Sequence, residues 1–144
     1  MPRYRPDLAD RPVPRYTSYP TAAQFTPQVG AAEQAAAIAR IAPGTPVSLY
    51  LHIPYCRQIC WYCGCNTGAV RGGAMRDTRL ADYVTALEAE IATVAAQLKG
   101  RVANIQFGGG SPNSLRAAAL TGIIATLRQQ FDVAPDAEIG VELD

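Results

Sequence analysis

The sequence predicts an α/β fold built on a parallel sheet. Three short segments alternate between apolar and polar residues, and amphipathic helical segments separate them. The order strand, helix, strand, helix, strand favours right-handed crossovers between parallel strands. Each predicted strand keeps one polar face, although the strands of a parallel sheet are usually apolar on both faces. We therefore predict a (β/α) barrel, or part of one, with the polar faces lining its interior.

The N-terminal third of the chain differs from the rest in its amino-acid composition. Eight of the eleven prolines lie at or before Pro46, which predicts an extended surface arm over residues 1–46. Within this arm, the Ala-rich segment 31–42 predicts one short helix. We assign residues 47–144 to the barrel.

The first strand and the first helix follow this arm. Residues 47–53 alternate, so we predict a strand that places Tyr50 and His52 on its polar face. Residues 79–99 carry apolar side chains at spacings of three and four, which predicts a core-facing helix ending at Gly100.

The second half of the chain repeats this pattern. Residues 103–110 alternate with Ala103, Ile105 and Phe107 on the apolar face, and residues 114–131 have helical periodicity behind Pro112. Residues 137–143 alternate again and predict the third strand. The side chains predicted to face the interior are Tyr50, His52, Asn104, Gln106, Glu138 and Glu142.

Three features meet at the carboxyl ends of the predicted strands, where barrels of this kind place their active sites. The cysteines follow the first strand, three glycines close the second, and Glu142 lies near the end of the third. Because the sequence stops at "VELD" without a further helix, we predict an N-terminal fragment of a longer enzyme, inactive by itself.

The composition gives little sign of a macromolecular partner. The chain has 144 residues, of which 49% are hydrophobic, and a net charge of +1 without a Lys/Arg run. We therefore expect a small-molecule partner and neither nucleic acid nor membrane. Residues 1–16 lack the apolar region of a secretory signal, and no run of about 18 apolar residues is present. We expect a cytoplasmic protein.

All four cysteines lie within the segment "HIPYCRQICWYCGCNT", residues 52–67. They are too close in sequence to close a long disulfide loop, so we predict metal ligands. The spacing Cys-x3-Cys-x2-Cys of Cys56, Cys60 and Cys63 suits three irons of a cubane cluster and leaves the fourth iron open. We expect Cys65 not to be a ligand. A structural zinc site, or thiols without a metal, is the alternative.

The segment "YLHIPYCRQICWYCGCN" resembles the signature of the radical S-adenosylmethionine enzymes. Its Cys-Gly-Cys-Asn continuation, together with "PRYTSYPTA" (14–22), "FGGGSPN" (107–113) and "IGVELD" (139–144), resembles the oxygen-independent coproporphyrinogen III oxidases. This resemblance implies a partial barrel of six strand-helix units, of which about three are present. It also implies that Cys56, Cys60 and Cys63 hold a 4Fe-4S cluster whose open iron binds S-adenosylmethionine.

The resemblance further implies a set of residues that contact S-adenosylmethionine, namely Tyr50, Tyr62, Gly109, Gly110, Ser111 and Glu142. Each has a simpler interpretation: the glycines as a strand-to-helix turn, Glu142 as a solvated carboxylate, and the tyrosines as core or rim aromatics. Ser111 stands where the family usually has threonine and keeps the hydroxyl. For His52, we expect a packed, hydrogen-bonded histidine more than a proton-transfer group.

The implied reaction is the oxidative decarboxylation of two propionates of coproporphyrinogen III through a 5′-deoxyadenosyl radical, giving protoporphyrinogen IX. The resemblance implies an electron donor such as a flavodoxin or ferredoxin, and we expect the full-length form to be a monomer. Two alternatives stay open: a haem chaperone of the same superfamily, and a non-enzymatic zinc-binding module.

Overall fold

The computed structural model describes Pro6, residues 24–70 and residues 72–144. Most of the predicted extended arm therefore lies outside the described residues. The chain divides into two compact units, Met1–Gln34 and Ala35–Asp144. Among the described residues, no helix is long and apolar enough to cross a bilayer.

Helix α1 (Ala31–Ala39) has no buried side chain. At its start, the backbone N–H of Gly30 donates to the Glu33 carboxylate at 2.9 Å, as in one half of a capping box. This hydrogen bond holds the pKa of Glu33 below its usual value. The helix predicted over 31–42 is present and ends three residues earlier.

The remaining elements alternate between strands and helices. In chain order they are β1 (Pro46–Ile53), β2 (Tyr55–Cys56), β3 (Gly68–Ala69), α2 (Ala74–Ala95), β4 (Arg101–Gly109), a 3-10 turn (Pro112–Ser114), α3 (Ala117–Gln130) and β5 (Val133–Val141). Strands β1, β4 and β5 form one sheet in the order β1-β4-β5, with both pairings parallel. Strands β2 and β3 form a separate parallel pair. The predicted α/β class with a parallel sheet is confirmed.

The sheet has one apolar and one polar face, as predicted. On the apolar face, Ile53, Ile105 and Phe107 are fully buried and pack with the apolar stripes of α2 and α3. The buried members of those stripes are Leu80, Leu87, Ile91, Ile123 and Leu127. On the opposite face, Tyr50 is 56% exposed. Burial on one face fixes the register, because a slip by one residue would move the apolar side chains to the other face.

Several predicted boundaries were wrong by a few residues. Helix α2 begins at Ala74 instead of residue 79 and ends at Ala95, four residues before the predicted end. Strand β5 begins at Val133, opposite Val102 of β4. Gly100 does not end the helix: a Cβ there would lie 2.9 Å from the carbonyl oxygen of Thr45. Close backbone approach is therefore what requires glycine at this position.

The pairings of β4 with both neighbouring strands are irregular near Ala103. The register shifts between Val47 and Ser48 of β1, and between Val102 and Asn104 on the side of β5. In the pairing with β1, Ala103 is the unpaired extra residue of a β-bulge; it is exposed, and Val102 is buried in its place. The prediction that Ala103 shares the apolar face with Ile105 was wrong.

Candidate functional site

The cysteines lie on a closed loop at the carboxyl end of β1. The backbone N–H of Gly68 donates to Pro54 O at 3.0 Å, and that of Val70 donates to Cys56 O at 2.8 Å. These bonds pair β2 with β3 and hold the two ends of the segment 56–67 together. We call this segment the cysteine loop.

Cys56 is set apart from the other three cysteines by its surroundings. It is buried, whereas Cys60, Cys63 and Cys65 are exposed, and all four are free thiols. The Cys56 sulfur lies 3.3 Å from Thr67 Oγ1 and accepts a longer contact from Ser111 Oγ at 3.5 Å. The first predicted ligand is thus fixed against the sheet, while the others project from the loop.

The chemistry of the donor set suits an iron-sulfur cluster, since free thiols of one short loop are the ligands that such clusters use. The side chains are not gathered for a metal, because the described residues contain no group of three or more His, Cys, Asp or Glu side chains that could hold one ion. Inside the loop, a turn joins Cys63 N to Cys60 O at 3.1 Å. The pKa of Cys65 is raised, chiefly by the charge of Cys63.

The three glycines that end β4 run alongside the start of the cysteine loop. The N–H of Gly110 donates to Ile53 O and that of Ser111 donates to Tyr55 O, both at 2.8 Å. A Cβ on Gly110 would lie 2.5 Å from Thr67 Oγ1 and 2.6 Å from Tyr55 O. No side chain fits at Gly110, so glycine is required here by the close approach of two backbones.

His52 connects β1 to the cysteine loop. Its Nε2 lies 2.8 Å from the carbonyl oxygen of Asn66, which can only accept a hydrogen bond. The neutral ring therefore carries its proton on Nε2, and Nδ1 can accept the hydroxyl hydrogen of Tyr50 at 3.4 Å. Histidine thus acts as a hydrogen-bonded bridge in this structure, in line with the expectation of a packed histidine.

Glu142 lies directly after β5, beside the glycines of β4. The N–H of Gly109 donates to Glu142 Oε2 at 3.3 Å. A Cβ on Gly108 would lie 2.7 Å from the same oxygen. The absence of a side chain at Gly108 is what lets the carboxylate cross the central strand. The pKa of Tyr50 is raised, mainly by burial and further by the charge of Glu142.

The structure brings most of the predicted site residues together at one edge of the sheet. Tyr50, Gly109 and Glu142 form one group, while Cys56, Gly110 and Ser111 form an adjoining one. Tyr62 stands apart, because its ring is 87% exposed on the cysteine loop. The assignment of these residues to S-adenosylmethionine stays a prediction.

Sequence reasoning missed several residues of this region. Thr67 contacts Cys56, and Asn113 donates to Asp144 at 2.7 Å. Tyr83 of α2 packs edge-on against Tyr55, with ring centroids 5.3 Å apart, and its hydroxyl donates to the backbone oxygen of His52. The sequence pattern identified Tyr83 only as one of the apolar residues of α2, because helical periodicity does not predict the hydrogen-bond partner of a hydroxyl group.

Comparison with known proteins agrees with this geometry. No protein-family model matches the chain. An oxygen-independent coproporphyrinogen III oxidase of Bradyrhizobium diazoefficiens is 45% identical over 97% of this chain and 32% of its own length. A Mannheimia haemolytica relative of the same name is 40% identical over 91% of this chain and 87% of its own length. The solved structure described as coproporphyrinogen III oxidase from Escherichia coli, a radical SAM enzyme, has a TM-score of 0.79 and 38% identity, covering 90% of this chain and 29% of that one.

The parallel sheet and its cysteine loop therefore define part of the fold of a radical S-adenosylmethionine enzyme. The chain spans about a third of the length of the Bradyrhizobium relative, at 32%. It belongs to the family of oxygen-independent coproporphyrinogen III oxidases.

Proposed function

We propose that the full natural polypeptide carries out the oxygen-independent oxidative decarboxylation of coproporphyrinogen III to protoporphyrinogen IX. The observation that carries this proposal is the meeting of Tyr50, Gly109 and Glu142 beside the cysteine loop, at the carboxyl ends of three parallel strands. Ligands bind at that edge in folds of this type. Family membership supports the choice of substrate.

We further propose that Cys56, Cys60 and Cys63 hold a 4Fe-4S cluster, with S-adenosylmethionine at its open iron. Four free thiols on one loop support this set of ligands. When bound, the two cofactors supply the 5′-deoxyadenosyl radical that removes a hydrogen atom from a propionate. The resulting propionate radical would lose carbon dioxide and pass one electron to an external acceptor, which leaves a vinyl group, and two such rounds would complete each substrate molecule.

The protein's own contribution in this proposal is to position S-adenosylmethionine. Glu142 uses Oε2 to accept from Gly109, which leaves Oε1 free to accept from an ammonium or a ribose hydroxyl. The bare backbone of Gly108 and Gly109 allows a ligand to approach β4 closely. Tyr50 can donate its hydroxyl proton at neutral pH, and burial raises its pKa further above the usual value of 10.0.

In the same proposal, His52 acts on the cysteine loop and not on the substrate. Its Nε2 proton is held by the carbonyl oxygen of Asn66, three residues after Cys63. This bond ties the loop to β1, so the loop keeps one position relative to Tyr50 and Glu142. We therefore assign His52 a positioning role.

We place this reaction in the cytoplasm and expect a monomer that receives electrons from a flavodoxin or ferredoxin. In the full polypeptide, residues 1–46 would serve as the N-terminal arm and residues 47–144 as the first part of the barrel. No helix of the described residues is suited to cross a membrane.

The proposal is tested on the full natural polypeptide, reconstituted with iron and sulfide without oxygen. With a strong reductant and S-adenosylmethionine, we expect 5′-deoxyadenosine, and with coproporphyrinogen III we expect two molecules of carbon dioxide per porphyrinogen. The matched control is Cys60→Ser, which should abolish both products. Uptake of zinc in preference to iron contradicts the cluster. 5′-Deoxyadenosine without decarboxylation contradicts the oxidase and favours the haem chaperone.

A further inference from the structure

We propose that the cavity between α2 and α3 binds a small carboxylate that carries an apolar chain. The cavity has a volume of about 740 Å³ and lies on the helix side of the sheet, away from Tyr50 and Glu142. Its charged lining consists of Arg57, Arg76, Arg116 and Asp77, and its apolar lining of Leu80, Ala81, Val84, Leu115 and Ala119. The proposed reaction uses none of these side chains.

The charge of the lining favours an anion. Three guanidinium groups face the cavity against a single carboxylate, that of Asp77. Asp77 already pairs with Arg116 at 3.1 Å. Asp144, which does not line the cavity, is a second carboxylate that interacts with one of these arginines. Its pKa is lowered, first by the hydrogen bond from Asn113 and to a smaller extent by the charge of Arg57. Arg76 is left without a carboxylate partner among the described residues.

Arg76 is the residue that points most clearly to a ligand. Its Nη2 donates to the backbone oxygen of Ser114 at 3.0 Å, which places the guanidinium group in the cavity wall. Its Nε is buried and has no acceptor within the described part of the chain. Buried donors are rarely left unpaired, and the planar guanidinium matches a carboxylate through two parallel hydrogen bonds. A carboxylate beside Arg76 would supply the missing acceptor after a small rotation of the side chain.

The apolar lining decides between a simple oxyanion and a carboxylate with a hydrocarbon chain. Leu80 and Leu115 are buried, and Val84 packs against the same core. A phosphate ion would leave these side chains without a contact, whereas an alkyl chain would cover them. Each methylene that leaves water completely strengthens binding about fourfold, so partial burial predicts about two- to fourfold per methylene.

The experiment is a calorimetric titration of the full natural polypeptide with acetate, butyrate, hexanoate and inorganic phosphate at constant ionic strength. We expect affinity to rise along the carboxylate series by about two- to fourfold per methylene, and hexanoate to bind more tightly than phosphate. Arg76→Gln should weaken hexanoate binding about ten- to hundredfold, as expected for the loss of a charged hydrogen bond. Asp77→Asn should strengthen binding about twofold or more, because it removes the opposing charge and frees Arg116.

The matched control is Arg128→Gln, which removes the same charge from the last turn of α3, outside the cavity lining. It should leave hexanoate binding unchanged. Arg116 is largely exposed, so Arg116→Gln is a second variant that tests the cavity if Arg76→Gln fails to fold, and it should weaken binding about twofold. The proposal is overturned if no carboxylate binds, if phosphate binds more tightly than hexanoate, or if the folded arginine variants bind like Arg128→Gln.

Discussion

The imidazole ring of His52 lies directly over the α-carbon of Gly109. A Cβ at this glycine would stand 2.5 Å from both Cε1 and Nδ1 of the ring. Gly109 also has a φ of +106°, a conformation that residues with a side chain rarely adopt. The bridge from β1 to the cysteine loop therefore depends on a glycine in the central strand.

We expect Gly109→Ala to destabilise the protein by at least about 2 kcal/mol, since backbone strain of about 1–3 kcal/mol adds to the displacement of His52. Urea unfolding measures this change. The control is Gly122→Ala in α3, where a Cβ would meet nothing within 4 Å, and alanine should stabilise the helix by about 0.5–1 kcal/mol. Equal stability of Gly109→Ala and the parent protein would contradict the arrangement.

The hydroxyl of Tyr83 predicts a loss of stability at alkaline pH. Burial raises the pKa of Tyr83 above its usual value of 10.0, and its hydroxyl donates to His52 O. The unfolded chain therefore ionises first, so this contribution is complete below about pH 10 and is lost as the pH rises through the folded-state pKa. Unfolding between pH 8 and 11 should show a smaller alkaline loss for Tyr83→Phe. Tyr62→Phe is the control, because the Tyr62 ring is 87% exposed, and it should lose as much stability at alkaline pH as the parent protein. If Tyr83→Phe also lost as much stability as the parent, the role of the Tyr83 hydroxyl would be refuted.

The cysteines should differ in their effect on iron content. We expect Cys56→Ser, Cys60→Ser and Cys63→Ser each to lose most of their iron and acid-labile sulfide after anaerobic reconstitution, because a cluster with two protein ligands is poorly held. Cys65→Ser should retain both. Iron lost in the Cys65 variant to the same extent would show that the fourth thiol is also a ligand.

Gly108 predicts an effect on S-adenosylmethionine binding that is separate from stability. A methyl group at Gly108 would lie 2.7 Å from Glu142 Oε2 and displace the carboxylate. We expect Gly108→Ala to weaken binding about tenfold, similar to Glu142→Gln, since a charged hydrogen bond contributes about 1.5–3 kcal/mol. In the control Gly140→Ala, the new methyl meets only the flexible end of the Gln106 side chain, and binding should be unchanged. Equilibrium dialysis measures the affinity of each variant for S-adenosylmethionine. An equal loss of affinity in Gly108→Ala and Gly140→Ala would argue against a role of Glu142 in binding.

Periodicity predicted the sheet and both long helices because one-sided burial leaves a pattern in the sequence. It placed Leu87 and Ile91 of α2 in the core correctly. It missed the first turn of α2, where Arg76 interrupts the apolar pattern while the helix continues. It also missed the start of β5, because residues 134–137 bulge out of the pairing with β4 between Val133 and Glu138 and carry no alternating pattern.

The candidate site could be predicted as a location, but its contacts could not. Strand order alone places Tyr50, Gly109 and Glu142 at one edge of the sheet. That His52 covers Gly109, or that Glu142 lies across Gly108, depends on the register between strands that are far apart in sequence. The bulge beside Val102 sets this register, and a single sequence contains no signal for the position of such a bulge.

The pairing of β1 with β4 has a consequence for synthesis on the ribosome. Pro46 lies opposite Arg101, and at about 5–20 residues per second the intervening stretch takes roughly 3 to 11 s to translate. During this interval the nascent strand exposes Leu49, Leu51 and Ile53 without its neighbour. Slow translation or heat stress should therefore make this segment a binding target for chaperones before the site above it can form.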